Sequence, residues 1–428
     1  MPHFAKPAEG SWTEHYPYLG TAPVNYEDSI SPDHYELERE AIFRRTWLNV
    51  GRVEQLPRVG SYFTKEIDAA RTSIVVVRAA DQVRAFHNMC RHRGNKLVWQ
   101  DYPGEETSGT CRQFTCKYHG WRYNLEGDLT FVQQEPEFFD LDKADYGLAP
   151  VRTETWEGFI FVNLDASDTT SLRDYLGGLA RGLEGYPFDQ MTQVYKYRAE
   201  VGANWKLFID AFTEFYHAPV LHARQAVSAE SQKLSQIGYE ALAYEIDGPH
   251  GMVSSWGGMS PPKDLDMVKP LERVLHSGLF GPWERPIEID LPPSVNPARS
   301  PVWGVDSFLF FPNFMILVWS PNWYLTYHYW PTSYNTHIFE GTLCFVPPRN
   351  ARERLQQELA AVTFKEYALQ DGNTLEATQT MLESRAVTQF PLGDQEILLR
   401  LLHHIAREYV ADYQRQQAGT LQPVGATP

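Results

Sequence analysis

Cysteine is scarce. Four occur in 428 residues, at positions 90, 111, 116 and 344, too few for a disulfide-stapled secreted scaffold. Cys111 and Cys344 read as reduced thiols, as expected in the cytoplasm. No apolar run approaches membrane-spanning length, and the opening Met-Pro-His-Phe-Ala-Lys-Pro-Ala-Glu lacks the apolar core of a signal peptide. Positive charge is also short: 38 Lys and Arg against 54 Asp and Glu leave a net charge of −16. That balance argues against nucleic acid and anionic membranes as partners. It serves solubility and would suit a basic redox partner. Internal repeats and low-complexity tracts are absent, apart from a polar tail after Gln414. What is present, 43% apolar and 21% charged residues, is the balance of a globular chain long enough for two domains.

Residues 1–30 mix Pro, Gly and aromatics without a period and read as an extended arm. Ser31-Pro32-Asp33 starts a helix expected to reach about Trp47. Short strands follow at Leu48–Val53, Ser61–Ile67, Ser73–Arg78, Val83–Asn88, Arg112–Asn124 and Gly158–Asn163, separated by turn residues as in a compact sandwich. Beyond Leu164 the pattern changes. A helix at Ser171–Leu183, a strand at Gln193–Val201 and a long apolar helix at Trp205–Arg224 are expected. Two strands within 239–256 and a Pro- and Gly-rich connection at Gly257–Pro301 come next. Strands at Ser307–Trp319, Trp323–Trp330 and His337–Val346 follow, and two or three helices from Ala351 to about Gln414 close the chain. Asp394 reads as the N-cap of the last helix. The second part is therefore α+β.

Two stretches carry chemistry. Cys90-Arg91-His92 and Cys116-Lys117-Tyr118-His119 each offer a thiolate and an imidazole on a short tether. Two Cys and two His suit zinc, but zinc fingers pair like with like. Each half here mixes the two, as expected when Cys90 and Cys116 hold one iron of a [2Fe–2S] cluster and His92 and His119 the other. The 23 residues between the halves include a polar piece, Tyr102–Gly109, expected as a surface-loop insertion. In the second stretch Asp210, Glu214 and His217 fall at i, i+4 and i+7, on one face of an ideal helix. His222 lies about 140° from His217 on that helix, and Pro219 between them should distort it enough for both imidazoles to converge.

The halves Cys90-x-His92-Arg93-Gly94 and Cys116-x2-His119-Gly120-Trp121 resemble the Rieske signature. Asn204-Trp205-Lys206, an acid, then His217-x4-His222-Ala resembles the mononuclear-iron motif of Rieske non-haem iron ring-hydroxylating oxygenases, alpha subunit. The likeness spans nearly the whole chain, with both motifs in order. It implies an α+β protein with an N-terminal arm and helix (1–46) packing on the catalytic domain. An all-β Rieske [2Fe–2S] domain (47–164) and a helix-grip, START-like catalytic domain with an antiparallel sheet (165–428) complete it. His217 and His222 would bind mononuclear Fe(II). The family's third ligand is an Asp near the start of a C-terminal helix, and Gln370–Gln379 resembles that segment. Asp371 is thus the choice, with an N-cap role as its alternative and Glu366 and Glu376 as other carboxylates. Glu214 stands where the family commonly has an Asp bridging a cluster histidine to an iron histidine of the neighbouring subunit, and a subset has Glu. Asp210 stands where an Asn near the iron is frequent; it is placed beside the metal ligands or as a local backbone cap.

The resemblance implies use of O2 and of electrons from NAD(P)H, passed on by a flavin reductase or ferredoxin. It also implies a homotrimer, with or without a small beta subunit. The leading expectation is hydroxylation of an aromatic or other hydrophobic ring. Its alternatives are a quaternary-amine (betaine- or carnitine-like) monooxygenase or demethylase and, in another class, a Rieske electron carrier without oxygenase activity. The substrate should lie between the helix at 204–224 and the strands of 307–346. Phe308, Phe310 and Phe314 would line it with Ile316 and Val318. Tyr327 and Tyr329 would add to them, with Met252 and Leu279 from the connection. For a cationic substrate, Trp319, Trp323, Tyr324 and Trp330 would form a cage.

Overall fold

The computed structural model describes residues 11–222, 241–256, 269–278, 281–282, 289–301, 303–320 and 322–420. They divide into two compact units. One spans Ile42–Tyr175; the other joins the described residues up to Ala41 to those from Leu176 onward.

The Ile42–Tyr175 unit is built from short strands: β1 (Leu48–Arg52), β2 (Ser61–Ile67), β3 (Thr72–Arg78), β4 (Val83–His87), β5 (Ser108–Thr110), β6 (Phe114–Thr115), β7 (Arg122–Tyr123), β8 (Leu129–Phe131), β9 (Pro150–Trp156) and β10 (Phe159–Asn163). Seven form one sheet in the order β1-β10-β9-β4-β3-β2-β5, and β6-β7-β8 form a second. The run Ile74–Val77 in β3 is fully buried, so its β-branched side chains serve both faces of a covered central strand. The expected strand Arg112–Asn124 is two strands of two residues flanking a turn. Gly120 at φ +73° reverses the chain there, a conformation that disfavours other residues. The insertion Tyr102–Gly109 is only partly a loop. Its end continues into β5, which pairs antiparallel with β2.

In the other unit, α1 (Ser11–His15) and α2 (Pro32–Glu38) precede α3 (Leu172–Arg181), β11 (Gln193–Val201), α4 (Trp205–Phe212) and α5 (Ala218–Leu221). The helix expected to reach Trp47 leaves α-geometry after Glu38, and Arg39–Phe43 form a π-turn. Then come β12 (Ala241–Asp247), β13 (His250–Trp256), β14 (Trp303–Phe310), β15 (Phe314–Ser320), β16 (Trp323–Ser333) and β17 (Thr336–Phe345). All seven strands form one antiparallel sheet, ordered β11-β17-β16-β15-β14-β13-β12. The expected strand Ser307–Trp319 is the hairpin β14–β15, because Pro312 interrupts the run and cannot donate to a ladder. Two long helices close the unit, Ala351–Glu383 and Ile397–Thr420.

Asp394 caps a different helix from the one expected. Its carboxylate accepts from the backbone N–H of Trp12 (3.2 Å) and Thr13 (2.9 Å) in α1, while Gly393 precedes the last helix. Helix α4 is buried from Trp205 to Asp210, as a helix apolar nearly all round must be. It lies on the sheet through Phe208 and Phe212, whose rings meet Tyr329 and Tyr327 at 5.5 and 4.6 Å.

Candidate metal centres

The two cysteine–histidine loops fold alike. Each closes with a glycine N–H donating to its cysteine carbonyl at 3.0 Å, Gly94 to Cys90 and Gly120 to Cys116. Both glycines have positive φ. Both cysteines are buried at 2% exposure in the core formed by Val75, Phe86, Trp121 and Tyr123. The His92 ring stacks on Trp121 (4.9 Å, 8°) and lies 4.6 Å from the ring of His119. Two side chains face the sulfurs: Tyr123 Oη at 3.4 Å from Cys90 Sγ and Asn95 Nδ2 at 3.9 Å from Cys116 Sγ. His92 Nδ1 is buried without a hydrogen-bond partner, as a nitrogen kept for a metal would be. Burial pushes the Cys90 thiol up, so metal binding there displaces a proton. Two sulfurs with donors beside them and two imidazoles fit a [2Fe–2S] cluster of mixed ligation.

Charges of both signs stand near this pocket: exposed Glu137 and Asp145 adjoin Phe138 and Tyr146, whose rings meet His92 and Trp121. Arg91, Arg93 and Lys117 are exposed, with Arg93 over the Tyr118 ring at 5.3 Å and Lys117 over Trp99 at 4.2 Å.

The second centre joins residues far apart in the chain. His217 Nε2 and His222 Nε2 lie 3.6 and 3.4 Å from Asp371 Oδ1, and all three ligand atoms fall within 4.8 Å of one another. Asp371 is 1% exposed, and neither carboxylate oxygen has a hydrogen-bond partner. An ionised carboxylate so placed needs a counter-ion. The other ring nitrogens are taken: His217 Nδ1 bonds Glu214 Oε1 at 2.6 Å and His222 Nδ1 bonds Gln370 Oε1 at 2.8 Å. With Nδ1–H donating to these acceptors, both Nε2 lone pairs turn toward Asp371. Two imidazoles and a carboxylate converging on one point form the facial set that suits Fe(II) and leaves positions open.

Local structure explains the convergence. The helix expected over Trp205–Arg224 breaks after Phe212; residues 223 and 224 lie outside the described residues. Thr213 Oγ1 donates back to the Ile209 and Asp210 carbonyls at 3.2 and 3.1 Å, a bonding pattern that competes with helix continuation. Glu214 then accepts from the backbone N–H of Tyr216 and of His217, the latter at 3.2 Å, and so starts the turn that leads into α5. Asp210, Glu214 and His217 therefore do not share one helical face. Asp210 instead pairs with His403, Oδ2 to Nε2 at 3.2 Å. Asp371 sits inside the Ala351–Glu383 helix rather than near its start, which removes its N-cap alternative. Glu376 accepts from Gly202 N at 3.0 Å and Glu366 is exposed, so neither joins the two histidines. Gln370, to which sequence reasoning gave no role, holds the His222 tautomer; its adjacency to Asp371 was the available signal.

The sheet register corrects the expected pocket lining. Directly paired residues point to the same face, and the face toward α4 is marked by Tyr327, Tyr329 and Ser307, whose Oγ donates to Phe212 O at 3.0 Å. Met315 pairs with Tyr327 and Leu317 with Ser307, so these share it. Phe308, Phe310, Phe314, Ile316 and Val318 alternate with them and point away, as does Met252, the partner of Phe308. Leu279 lies outside the described residues. The tryptophan cage does not form either. Trp319 and Trp323 stack at 4.5 Å, while Tyr324 occupies the opposite face against Phe188. Trp330, seven residues beyond Trp323, stacks on His328 instead. On the face toward α4, Tyr197 Oη lies 3.5 Å from Tyr327 Oη, and the Asp371 charge acts on both phenols. Gly341 makes the Tyr197 placement possible, since a Cβ there would stand 2.2 Å from the ring.

Comparison with known proteins covers both units. Residues 46–145 match the Rieske [2Fe–2S] domain, and residues 188–412 match the ring hydroxylating alpha subunit (catalytic domain). The glycine betaine monooxygenase oxygenase subunit of Pseudomonas aeruginosa is 33% identical over 189 residues, 44% of this chain and 42% of that protein. The biphenyl 2,3-dioxygenase subunit alpha of Rhodococcus jostii is 35% identical over 200 residues, 43% of this chain and 40% of that one. The aligned stretches thus span less than half the length of these relatives. A crystal structure of the quaternary ammonium Rieske monooxygenase CntA shares the fold at TM-score 0.70 and 20% identity, covering 95% of this chain and 99% of that one. Among the described residues no helix is long and apolar enough to cross a membrane.

Proposed function

Because the chain belongs to the ring hydroxylating alpha subunit family and carries a Rieske [2Fe–2S] domain ahead of the catalytic one, we propose that it is the oxygenase component of a multicomponent Rieske system. It hydroxylates a compact organic substrate with O2, using electrons from NAD(P)H relayed by a reductase, a ferredoxin or both. The observation that carries this reading is Asp371, a buried carboxylate without a hydrogen-bond partner set against two imidazole Nε2 atoms. An electron carrier would have no use for that arrangement.

In this reading Cys90, Cys116, His92 and His119 hold the cluster, and His217, His222 and Asp371 hold Fe(II), which activates O2 when bound. Glu214 and Gln370 fix the imidazole tautomers. Glu214 also faces a cavity of about 300 Å³, where a further N–H donor could reach its carboxylate. A cluster histidine of a second copy would supply that donor, so the working unit is a closed ring of three copies. Reduced cysteines at 111 and 344 fit a cytoplasmic location.

The substrate is a hydrophobic ring compound. The cavity beside Asp371 and His217 is lined by Leu207, Leu221, Leu375, Leu382 and Phe390, a lining for a largely apolar molecule. A second reading, a quaternary ammonium substrate, draws on the phenol faces of Tyr197, Tyr327 and Tyr329 and on Glu214. Product analysis under labelled O2, with the reductase and a panel of ring compounds and betaines, tests both. Iron content that never exceeds the cluster's own, with no labelled product, would leave the electron carrier as the surviving reading.

A further inference from the structure

The last helix carries a histidine that the chemistry above does not use. His403 is 1% exposed, and each ring nitrogen faces a carboxylate. Nδ1 lies 3.2 Å from Asp28 Oδ2 and Nε2 lies 3.2 Å from Asp210 Oδ2. A neutral imidazole has one N–H and one lone pair, so it cannot donate to both; the imidazolium can. The charges around it alternate. Arg407 Nε stands 2.8 Å from the same Asp28 oxygen. Lys206 Nζ donates to the Asp28 carbonyl at 3.0 Å and pairs with Glu38 at 2.6 Å. The Tyr26 ring meets the imidazole edge-on at 4.6 Å, Glu396 acts on Tyr26, and Asp210, Glu214 and Arg400 act on Glu396 in turn.

Three separate pieces of chain meet at this ring: Asp28 from the N-terminal segment, Asp210 from α4 and His403 from the last helix. The Asp210 carbonyl accepts from Thr213 N at 3.3 Å and from Thr213 Oγ1 at 3.1 Å, the bonds that end α4. Its Oδ1 is buried without a hydrogen-bond partner, and Asp210 lines the same cavity as Glu214 and His217. The position of Asp210 thus sets the turn from which Glu214 and His217 depart.

We propose that His403 is a positioning residue for the mononuclear centre: by bridging Asp28 and Asp210 it fixes the end of α4 and, through it, the Glu214–His217 pair. This rests on the metal role proposed for His217, His222 and Asp371. Burial alone would push the imidazole down, but the Asp28 and Asp210 carboxylates hold it up at about 9. Against its own burial, Asp28 is kept well below the carboxylate range by His403, Lys206 and Arg407, so it does not titrate in the same window. A raised folded-state value gives a bridge fully present below about pH 6.5 and lost as pH rises through about 9.

The test uses the full chain with its cluster oxidised and Co(II) as the probe of the mononuclear site, read by EPR and binding titration from about pH 6 to about pH 10. Wild-type affinity and signal should hold to near pH 9 and decay above it. His403→Gln should weaken Co(II) binding about tenfold at neutral pH and flatten the profile, and His403→Lys, which keeps the charge, should restore part of the affinity. A wild-type profile flat through pH 9 overturns the proposal and requires no variant. A His403→Gln protein with a lowered melting temperature but wild-type Co(II) affinity, signal and pH profile also overturns it, because the ring then only stabilises the fold. Wild-type protein that binds no Co(II) at all defeats the metal assignment itself, a separate failure.

Discussion

The four residues proposed to hold the cluster lie on two short loops, each closed on itself by a glycine N–H bonded to its cysteine carbonyl. Of the residues proposed to hold Fe(II), His217 and His222 flank α5, and Asp371 lies in the interior of a helix more than a hundred residues later. The first cradle is held by backbone bonds within each loop and by a packed core. The second is arranged by side chains, Glu214 and Gln370 on the ring nitrogens. A locally closed site should fail all at once. A site assembled through partners should weaken by degrees when one partner is altered.

The largest effect should come from the cluster cradle. Cys116→Ser should abolish the visible Rieske spectrum and the EPR signal of the reduced cluster; a retained spectrum would end the cluster assignment. Next, Asp371→Ala should leave that spectrum intact while one iron per chain and all product are lost. Normal hydroxylation in that variant would pass the third ligand to another carboxylate. Glu214→Gln should keep both centres but slow substrate-triggered cluster reoxidation roughly a hundredfold, since one imidazole N–H loses a charged acceptor. Stopped-flow absorbance measures it, and a wild-type rate would make Glu214 an ordinary turn residue. The smallest effect is expected at Gln370→Leu. Its Fe(II) affinity should fall about tenfold with unchanged cluster properties, and an unchanged affinity would show that His222 needs no acceptor on Nδ1.

The same contrast governed what could be read from the chain. Spacing alone nominated Cys90, His92, Cys116 and His119, because the loop that joins each pair is also the structure that presents it. Helical periodicity placed Asp210, Glu214 and His217 on one face, and this failed because Thr213 bonds back to Ile209 and ends the helix. His403 and Gln370 carried no signal of function, since their partners Asp28, Asp210 and His222 are neighbours only in three dimensions. The sheet itself was legible as alternating apolar strands. Which alternate set faces α4 was not, because both faces of β14 to β16 are covered and both sets are apolar. The tryptophan cage failed for the same reason: residues of opposite parity on β16 cannot meet.

The polar insertion 102–109 ends in β5, which lies along β2, with Lys65 paired to Glu106 at 3.1 Å and Thr107 N donating to Thr64 Oγ1 at 2.8 Å. An uncovered outer strand offers a row of free N–H and C=O groups to any other chain with a matching edge. Here that row is occupied from within, and the new border is three exposed residues, Ser108-Gly109-Thr110, too short and too polar to recruit a neighbour. The insertion therefore acts as selvage, a finished polar border on the β2 side of this sheet.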